Sequence, residues 1–232
     1  MSIGVPLFEA YGMTENCAYA TSNSPENIKI GTVGIPAHGV ELKFADDGEI
    51  LIRSGGVFKG YFKDEQATNE TIDKDGWLHT GDVGIYEGDF IKIVDRKRDI
   101  IITSGGKNVS PSEIENKIKV SPFIKEAIVI GDRRKFLSAL IGIEFDTVSN
   151  WALRKNIPHT TYRDLSEKKE VRDLVWKEIS KANEKTSSLE VREFRMIPKE
   201  LDHEEGELTA TQKVKRNVLI EQFDELIKEM YS

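Results

Sequence analysis

The sequence contains one cysteine, no long hydrophobic run and no basic leader segment. A single thiol, Cys17, excludes a disulfide framework and any metal site built from several thiolates, and it is typical of a reducing compartment. No apolar run reaches the length of about 18 residues that a membrane-spanning helix needs. The first residues, MSIGVPLFEAYG, lack the regions of a secretory signal. We therefore expect a cytoplasmic protein in which Cys17 is a small buried apolar group.

Acidic residues outnumber basic ones, and both are unevenly distributed along the chain. The 232 residues include 33 Lys and Arg against 40 Asp and Glu, for a net charge of −7, which argues against a nucleic-acid binder. Residues 1–94 hold 7 basic and 15 acidic side chains, whereas residues 95–232 hold 26 and 25. Most glycines precede residue 107. These changes predict two differently built parts that meet near residue 95.

Hydrophobic patterning predicts strands in the first part and a mixture of helices and strands in the second. Alternating runs at residues 40–44, 49–53 and 89–94 are typical of half-buried strands. In the second part, Ser110, Pro111 and Glu113 form a helix start with a capping box, and Asp164 with Glu167 has the same spacing. The sequence therefore predicts an α/β (α+β) domain with strands at 127–130, 139–143 and 191–197 and helices from 110, at 164–184 and at 218–230.

Several common catalytic motifs are missing. No Gly-x-Gly occurs, so the dinucleotide fingerprint is absent. The stretch TSGGKN at 103–108 fails as a phosphate loop, because Ile101 stands where glycine is required and Asn108 where Ser or Thr should be. There is no second histidine near His203 for a zinc helix, and no Gly-x-Ser-x-Gly elbow. Generic metal hydrolases and serine hydrolases are therefore excluded.

Four stretches remain whose order and spacing are informative together. They are YGMTE at 11–15, GWLHTGDVG at 76–84, DRKRDIIITSGGKNVSP at 95–111 and GELTATQKVKR at 206–216. The first is predicted to be a tight turn, and the second a loop in which Asp82 lies between glycines. Any one of them alone would be weak evidence, but all four in this order span most of the chain.

In these four stretches the chain resembles the C-terminal part of the AMP-forming adenylate-forming enzymes, and within them the long-chain fatty acyl-CoA synthetases. The resemblance implies ATP-dependent activation of a fatty acid as acyl-adenylate, followed by transfer to coenzyme A. It also implies that residues 1–95 are the β-rich tail of a large domain, 96–98 a hinge and 99–232 a mobile small domain. The family's phosphate loop and acyl pocket would lie upstream, so the chain by itself is expected to be inactive and chain-length preference cannot be read from it.

The resemblance assigns nucleotide contacts to the first stretch. Tyr11, followed by Gly12, would lie against adenine, Thr14 would contact phosphate, and Glu15 would hold Mg²⁺, for which a carboxylate is a suitable hard-oxygen ligand. The competing interpretation is a plain structural turn.

The next assignments concern the ribose and the hinge. Asp82 resembles the carboxylate that accepts both ribose hydroxyls, although an aspartate here can also cap a turn. Arg96 resembles a second ribose contact, and its alternative is a solvated basic cluster with Lys97 and Arg98. Arg98 matches the hinge position by alignment with the motif alone.

The last assignments concern the small domain. Gly105, Gly106 and Lys107 resemble the loop that lines the thiol tunnel, where glycine permits close approach of a ligand to the backbone. Lys213 resembles the catalytic lysine of adenylation, but Ala210 and Gln212 depart from the family pattern, so Lys215 stays an alternative.

Two other functions are compatible with the residues. One is a non-catalytic module that binds AMP or coenzyme A, and the other is an adenylating enzyme whose acceptor is a carrier-protein thiol. Exposed strand edges in residues 1–94 could also pair with a second copy to form a homodimer.

Overall fold

The computed structural model describes residues 7–186 and 189–232, and the chain separates into two compact units. One unit ends at Asp99, and the other runs from Ile100 to Ser232. Both helices and strands are present, which confirms the predicted α/β class. Each unit is described by itself below.

The first unit consists of two antiparallel sheets and one short helix. The smaller sheet has the order β1-β2-β3, and the larger sheet has the sequential order β4-β5-β6-β7. The elements are β1 (Ala10–Tyr11), β2 (Thr21–Ser22), β3 (Ile35–Pro36), β4 (Glu41–Phe44), β5 (Glu49–Arg53), α1 (Glu65–Thr71), β6 (Leu78–Glu87) and β7 (Phe90–Arg96), with 3₁₀ turns at Thr14–Asn16 and Lys97–Asp99.

A small apolar core lies against the larger sheet. Ile50, Ile52, Leu78 and Ile91 are fully buried there. The predicted strands near 40–44, 49–53 and 89–94 are confirmed as β4, β5 and β7. Burial alternates along β4, whereas the first four residues of β5 are all buried.

The second unit is a three-stranded sheet with helices on both faces. Its order is β10-β11-β12, in which β10 and β11 are antiparallel and β11 and β12 are parallel. The elements are β8 (Ile101–Ile102), β9 (Asn108–Val109), α2 (Pro111–Ile118), β10 (Ile124–Ile130), β11 (Leu137–Ile143), α3 (Phe145–Arg154), α4 (Tyr162–Glu167), α5 (Lys169–Glu184), β12 (Val191–Met196), α6 (Arg216–Gln222) and α7 (Asp224–Met230).

Strand β11 is central and buried along its whole length. Its alternate residues face two different cores: Ala139 and Ile141 pack with α2, α3 and α5, whereas Leu140 packs with α6 and α7. A strand covered on both faces is a continuous apolar run rather than an alternating one, as the sequence of this strand is. The three predicted strands of this unit are confirmed.

The helix starting at Ser110 is confirmed, and the two later helices are corrected. The Ser110 hydroxyl accepts a hydrogen bond from the Glu113 amide at 3.3 Å, as a cap should. The predicted helix 164–184 is instead α4 and α5, which meet at the extended residue Lys168, and the cap of α4 is Thr161 rather than Asp164. The predicted helix 218–230 is α6 and α7, interrupted at Phe223.

Cys17 is exposed, so the expectation of a buried thiol was wrong. It follows the first 3₁₀ turn with a left-handed backbone, φ 55°, which carries its side chain away from the core. In the part of the chain that the structure describes, no helix has the length and hydrophobicity to cross a bilayer.

Candidate functional site

The carboxylate of Asp82 is the centre of the site in the first unit. Asp82 on β6 lies directly opposite Arg96 on β7, and cross-strand partners project from the same face of a sheet. The Arg96 Nε atom lies 3.0 Å from Asp82 Oδ1, and the Tyr11 hydroxyl donates to Asp82 Oδ2 at 2.6 Å. The structure therefore brings together three residues that are widely separated in the sequence.

Asp82 lies in a strand, so the prediction of a loop at this position was wrong. Two of the flanking glycines have local reasons to be there. Gly81 has φ +69°, and a Cβ at Gly84 would be 2.9 Å from the Cδ1 atom of Ile50. Glycine is thus required at the irregular pairing near Val83 and Gly84, where the ladder shifts register.

Thr80 supports this site and was missed from the sequence. Its hydroxyl donates to the Ile50 carbonyl at 2.8 Å and accepts from the Asp82 amide at 3.1 Å. Its own carbonyl accepts from Arg96 Nη1 at 3.2 Å. The alternation of buried residues at 78, 80 and 82 was the signal that could have revealed both the strand and Thr80.

Burial and two hydrogen-bonding partners hold the Asp82 carboxylate in place and leave it able to accept further hydrogen bonds. Asp82 is only 6% exposed, and each of its oxygens already has one partner. Burial raises the pKa of the Tyr11 phenol, and the hydrogen bond to Asp82 raises it further, so the phenol stays neutral and donates. Because a carboxylate has about four acceptor positions, each oxygen can still accept from a ligand hydroxyl.

The turn after Tyr11 is tight and sterically determined. A Cβ at Gly12 would lie 2.3 Å from the Ala18 carbonyl carbon, so only glycine fits. Thr14 is exposed on the 3₁₀ turn. The Oε1 atom of Glu15 accepts from the Tyr61 hydroxyl at 2.8 Å, and Tyr61 was not foreseen from the sequence.

The surroundings of the Glu15 carboxylate are compatible with a magnesium ion. Among the described residues, no hydrogen bond engages its second oxygen, and no cluster of three or more His, Cys, Asp or Glu surrounds it. Mg²⁺ is commonly bound by one or two carboxylates together with substrate phosphates and water. A single half-buried carboxylate therefore fits such an ion.

The basic residues after β7 are not one solvated cluster. The Lys97 ammonium lies 2.6 Å from Asp47 Oδ2 and 2.9 Å from Glu49 Oε2, so it is paired. Glu49 also accepts from the Gly81 amide at 2.9 Å, which links this pair to the strand that carries Asp82. Arg98 is largely exposed, and its Nε atom is 4.0 Å from Asp99.

We expect the first unit to lose stability as the pH is lowered, because the Glu49 carboxylate becomes protonated. Burial acts to raise the pKa of its carboxyl, but hydrogen bonds from Lys97, the Gly81 amide and His79 outweigh burial and leave the pKa below its ordinary value. A depressed pKa contributes stability above about pH 4.3, the unfolded value, and the contribution is lost as pH falls through the folded value. Urea denaturation from pH 7 to 3 should therefore show a smaller loss in Glu49→Gln than in the unmodified chain.

The exposed carboxylate of Glu65 supplies the control for that measurement. Glu65→Gln removes an exposed carboxylate outside this cluster, and it should change the pH dependence less than Glu49→Gln does. An unchanged profile in Glu49→Gln would contradict the proposed contribution of this cluster.

In the second unit, the turn from β8 to β9 carries Gly105, Gly106 and Lys107. Thr103 closes it: its carbonyl accepts from the Gly106 amide at 2.8 Å, and its hydroxyl accepts from the Lys107 amide at 3.2 Å. Gly106 has φ +74°, and a Cβ at either glycine would meet open space. Within the turn, glycine is therefore favoured at Gly106 by its positive φ and not by lack of space.

Lys213 lies on a small hairpin between β12 and α6. Leu208 pairs with Val214 across it, and the Lys213 amide donates to the Thr209 hydroxyl at 3.0 Å. The side chains of both Lys213 and Lys215 are exposed, so burial does not distinguish the two. Lys213 stays the predicted catalytic lysine, with Lys215 as the alternative. The hairpin fixes the backbone at Lys213 while leaving its ammonium accessible.

The first unit thus has a buried carboxylate between a phenol and a guanidinium, and the second unit has a lysine-bearing hairpin. Comparison with known proteins shows the family. The model of the AMP-binding enzyme C-terminal domain matches residues 98–232, and the AMP-binding enzyme model matches residues 2–62. The chain belongs to the family of AMP-binding enzymes.

Similar proteins include the long-chain-fatty-acid–CoA ligase FadD15 of Mycobacterium bovis, which is 39% identical over 232 residues. That alignment covers 99% of this chain but 38% of the relative, so the chain spans about two fifths of the length of this relative. Among solved structures, O-succinylbenzoate coenzyme A synthetase from Bacillus subtilis, in complex with ATP and magnesium ion, has a TM-score of 0.65 and 28% identity, covering 93% of this chain and 42% of that one.

A carboxylic acid reductase adenylation domain from Segniliparus rugosus, solved with AMP and a co-purified carboxylic acid, has a TM-score of 0.75 at 22% identity. It covers 98% of this chain and 35% of its own. At that identity the likeness shows the fold alone.

Proposed function

We propose that this chain is the C-terminal part of an ATP-dependent, AMP-forming long-chain fatty acyl-CoA synthetase. The observation that carries the proposal is the buried Asp82 carboxylate with Tyr11 and Arg96 on its two oxygens. The names of the curated relatives favour coenzyme A over a carrier-protein thiol and over a module without chemistry.

In this proposal the first unit holds the nucleotide of ATP. Asp82 accepts the two ribose hydroxyls, Arg96 contacts the ribose side, and Tyr11 lies against adenine beside Gly12. The acceptor capacity of Asp82 beyond its present partners supports its role, since a diol supplies two donors to one carboxylate.

The phosphates lie at the turn after Tyr11. Thr14 would donate to them, and Glu15, one of whose oxygens accepts from Tyr61, would hold Mg²⁺. When bound, the ion would neutralise charge on the phosphate oxygens.

The second unit supplies two different groups to two half-reactions. First, a carboxylate oxygen of the fatty acid attacks the α-phosphorus of ATP, pyrophosphate leaves, and Lys213 stabilises the charge on the transferring phosphate. Then the sulfur of coenzyme A attacks the acyl carbon, AMP leaves, and the thiol passes the loop of Gly105, Gly106 and Lys107. Arg98 is the proposed hinge between residues 1–95 and 99–232; it lies in the 3₁₀ turn Lys97–Asp99, and its side chain is exposed.

We also propose a cytoplasmic location, in keeping with a lone exposed thiol, and a homodimer formed through strand edges of the first unit. Neither affects the chemistry above.

A chimera tests the proposed function. Residues 7–232 would replace the aligned part of the M. bovis ligase, and pyrophosphate release from ATP would be measured with palmitate. We expect palmitate-dependent release from the chimera and none from this chain by itself. Asp82→Ala should raise the KM for ATP about tenfold or more, because a charged hydrogen-bonding partner of the ribose is lost. Asp75→Ala, an exposed aspartate on the same unit, is the matched control.

A folded chimera that releases no pyrophosphate with palmitate would contradict the proposed function. Equal KM values in the Asp82→Ala and Asp75→Ala chimeras would contradict the assignment of the nucleotide site.

A further inference from the structure

A buried ion pair lies immediately after the Lys213 hairpin. The Nη2 atom of Arg216 donates to both carboxylate oxygens of Glu115, at 2.6 and 2.8 Å, and its Nη1 atom donates to the Val129 carbonyl at 3.0 Å. Glu115 Oε1 also accepts from the Val129 amide at 2.7 Å. Arg216 is the first residue of α6 and stands three residues after Lys213, while Glu115 lies on α2.

The surroundings make this pair stronger than an ordinary surface salt bridge. The side chains of Arg216 and Glu115 are 19% and 11% exposed, whereas most ion pairs of the second unit are formed by much more exposed groups. Short charged hydrogen bonds away from water are the strong ones, and breaking one leaves a charge buried without its partner. The planar fork of arginine matches this geometry, and the ammonium of lysine does not.

The hairpin is closed by its own hydrogen bonds, and its tip is exposed. Thr211, Gln212 and Lys213 are exposed, and Gln212 has a left-handed backbone with φ +61°. Its two arms are joined by the bridge between Leu208 and Val214 and by two backbone hydrogen bonds of 2.8 Å, from the Thr209 amide to the Lys213 carbonyl and from the Lys215 amide to the Glu207 carbonyl. Two ion-paired groups flank the hairpin: the buried Glu207, 2.7 Å from Lys199, and the partly buried Arg216, paired with Glu115.

We infer that the Arg216–Glu115 ion pair is a positioning device for Lys213. It fastens the outgoing arm of the hairpin to α2, the helix that directly follows the loop of Gly105, Gly106 and Lys107. The Glu115 carboxylate thereby fixes the position of the Lys213 backbone relative to α2. The inference rests on the proposed function, because it gives Lys213 its role in adenylation.

The first test uses the chain itself and requires no activity. Hydrogen exchange is measured at the amides of Thr209, Lys213 and Lys215, which are all hydrogen-bonded within or beside the hairpin. Arg216→Lys keeps the charge but loses the fork, so these amides should exchange about tenfold faster, whereas amides of β11 should change less than about twofold. Arg163→Lys, in an exposed pair with Glu167 on α4, is the matched control and should change none of them.

A second variant guards against a general loss of folding. Glu115→Gln removes the charge but keeps the shape and one acceptor, and it should give the same selective loss of protection. Unchanged exchange at the hairpin in both variants, or equal loss throughout β11, would overturn the positioning role.

The second test is kinetic and separates the two proposals. In the active chimera, Arg216→Lys should slow acyl-adenylate formation about tenfold with the KM for ATP within about twofold, because a misplaced catalytic group lowers the chemical rate rather than binding. Thioester formation from supplied acyl-adenylate should stay within about twofold of the unmodified chimera. A variant with faster amide hydrogen exchange in the hairpin but an unchanged adenylation rate would contradict the inference without contradicting the proposed function. An inactive chimera with native Arg216 would instead count against the proposed function, while the exchange experiment still decides whether the pair anchors the hairpin.

Discussion

Lys213→Ala is expected to slow acyl-adenylate formation in the chimera about 10²–10³-fold, because it removes a cation from the charge that develops on the transferring phosphate. The backbone at Lys213 is fixed by the Thr209 hydroxyl, and the side chain is exposed, so its removal should not disturb the fold. Thioester formation from supplied acyl-adenylate should be nearly unchanged, since Lys213 is proposed to act in the first half-reaction and not in the second. Rapid-quench measurement of each half-reaction distinguishes the two effects.

Lys215→Ala is the control with the nearest chemistry. Lys215 is also exposed, but its amide is bound to the Glu207 carbonyl at the start of α6. If Lys215→Ala slows acyl-adenylate formation only slightly and Lys213→Ala slows it strongly, Lys213 is the catalytic lysine. The reverse result would transfer the role to Lys215, and equal loss of both half-reactions in Lys213→Ala would contradict a role confined to adenylation.

Local patterns predicted those elements whose burial is regular. The runs at 127–130 and 139–143 became the buried strands β10 and β11, and the Ser110 cap formed where it was expected. Strand β6 was missed because Gly76, Gly81 and Gly84 are usually turn residues, and glycine weakens a strand signal. Here two of those glycines serve a strand, at a positive φ and at a close approach to Ile50.

The contacts of the candidate site could not have been predicted from local patterns. Tyr11 and Asp82 are 71 positions apart, and their hydrogen bond depends on how two sheets of the first unit meet. The pairing of Asp82 with Arg96 depends on the register shift beside Val83, which no periodicity shows. Family resemblance supplied the residues, whereas the structure supplied the partners Thr80 and Tyr61.

Gly106→Leu is expected to affect the opposite half-reaction from Lys213→Ala. The turn from Thr103 to Lys107 has open space at Gly106, so a leucine would project from the surface along which the thiol is proposed to pass. Thioester formation from supplied acyl-adenylate should fall about 10²-fold, the loss that follows from misplacing a reacting group by about 1 Å, while pyrophosphate release should be nearly unchanged.

Backbone strain has to be separated from obstruction, because Gly106 has φ +74° and any β-carbon is disfavoured there. Gly106→Asn is the matched variant, since asparagine tolerates a left-handed backbone better than leucine and is smaller. If obstruction is the cause, thioester formation should fall much less in Gly106→Asn than in Gly106→Leu. If strain is the cause, both variants should lose stability in thermal unfolding and both half-reactions together. Selective loss of thioester formation in Gly106→Leu, beside selective loss of adenylation in Lys213→Ala, is the result expected if the second unit presents two faces to the reaction in turn. Loss of both half-reactions in both variants would mean that one static arrangement serves both steps, and the exchange of faces about Arg98 would have to be abandoned.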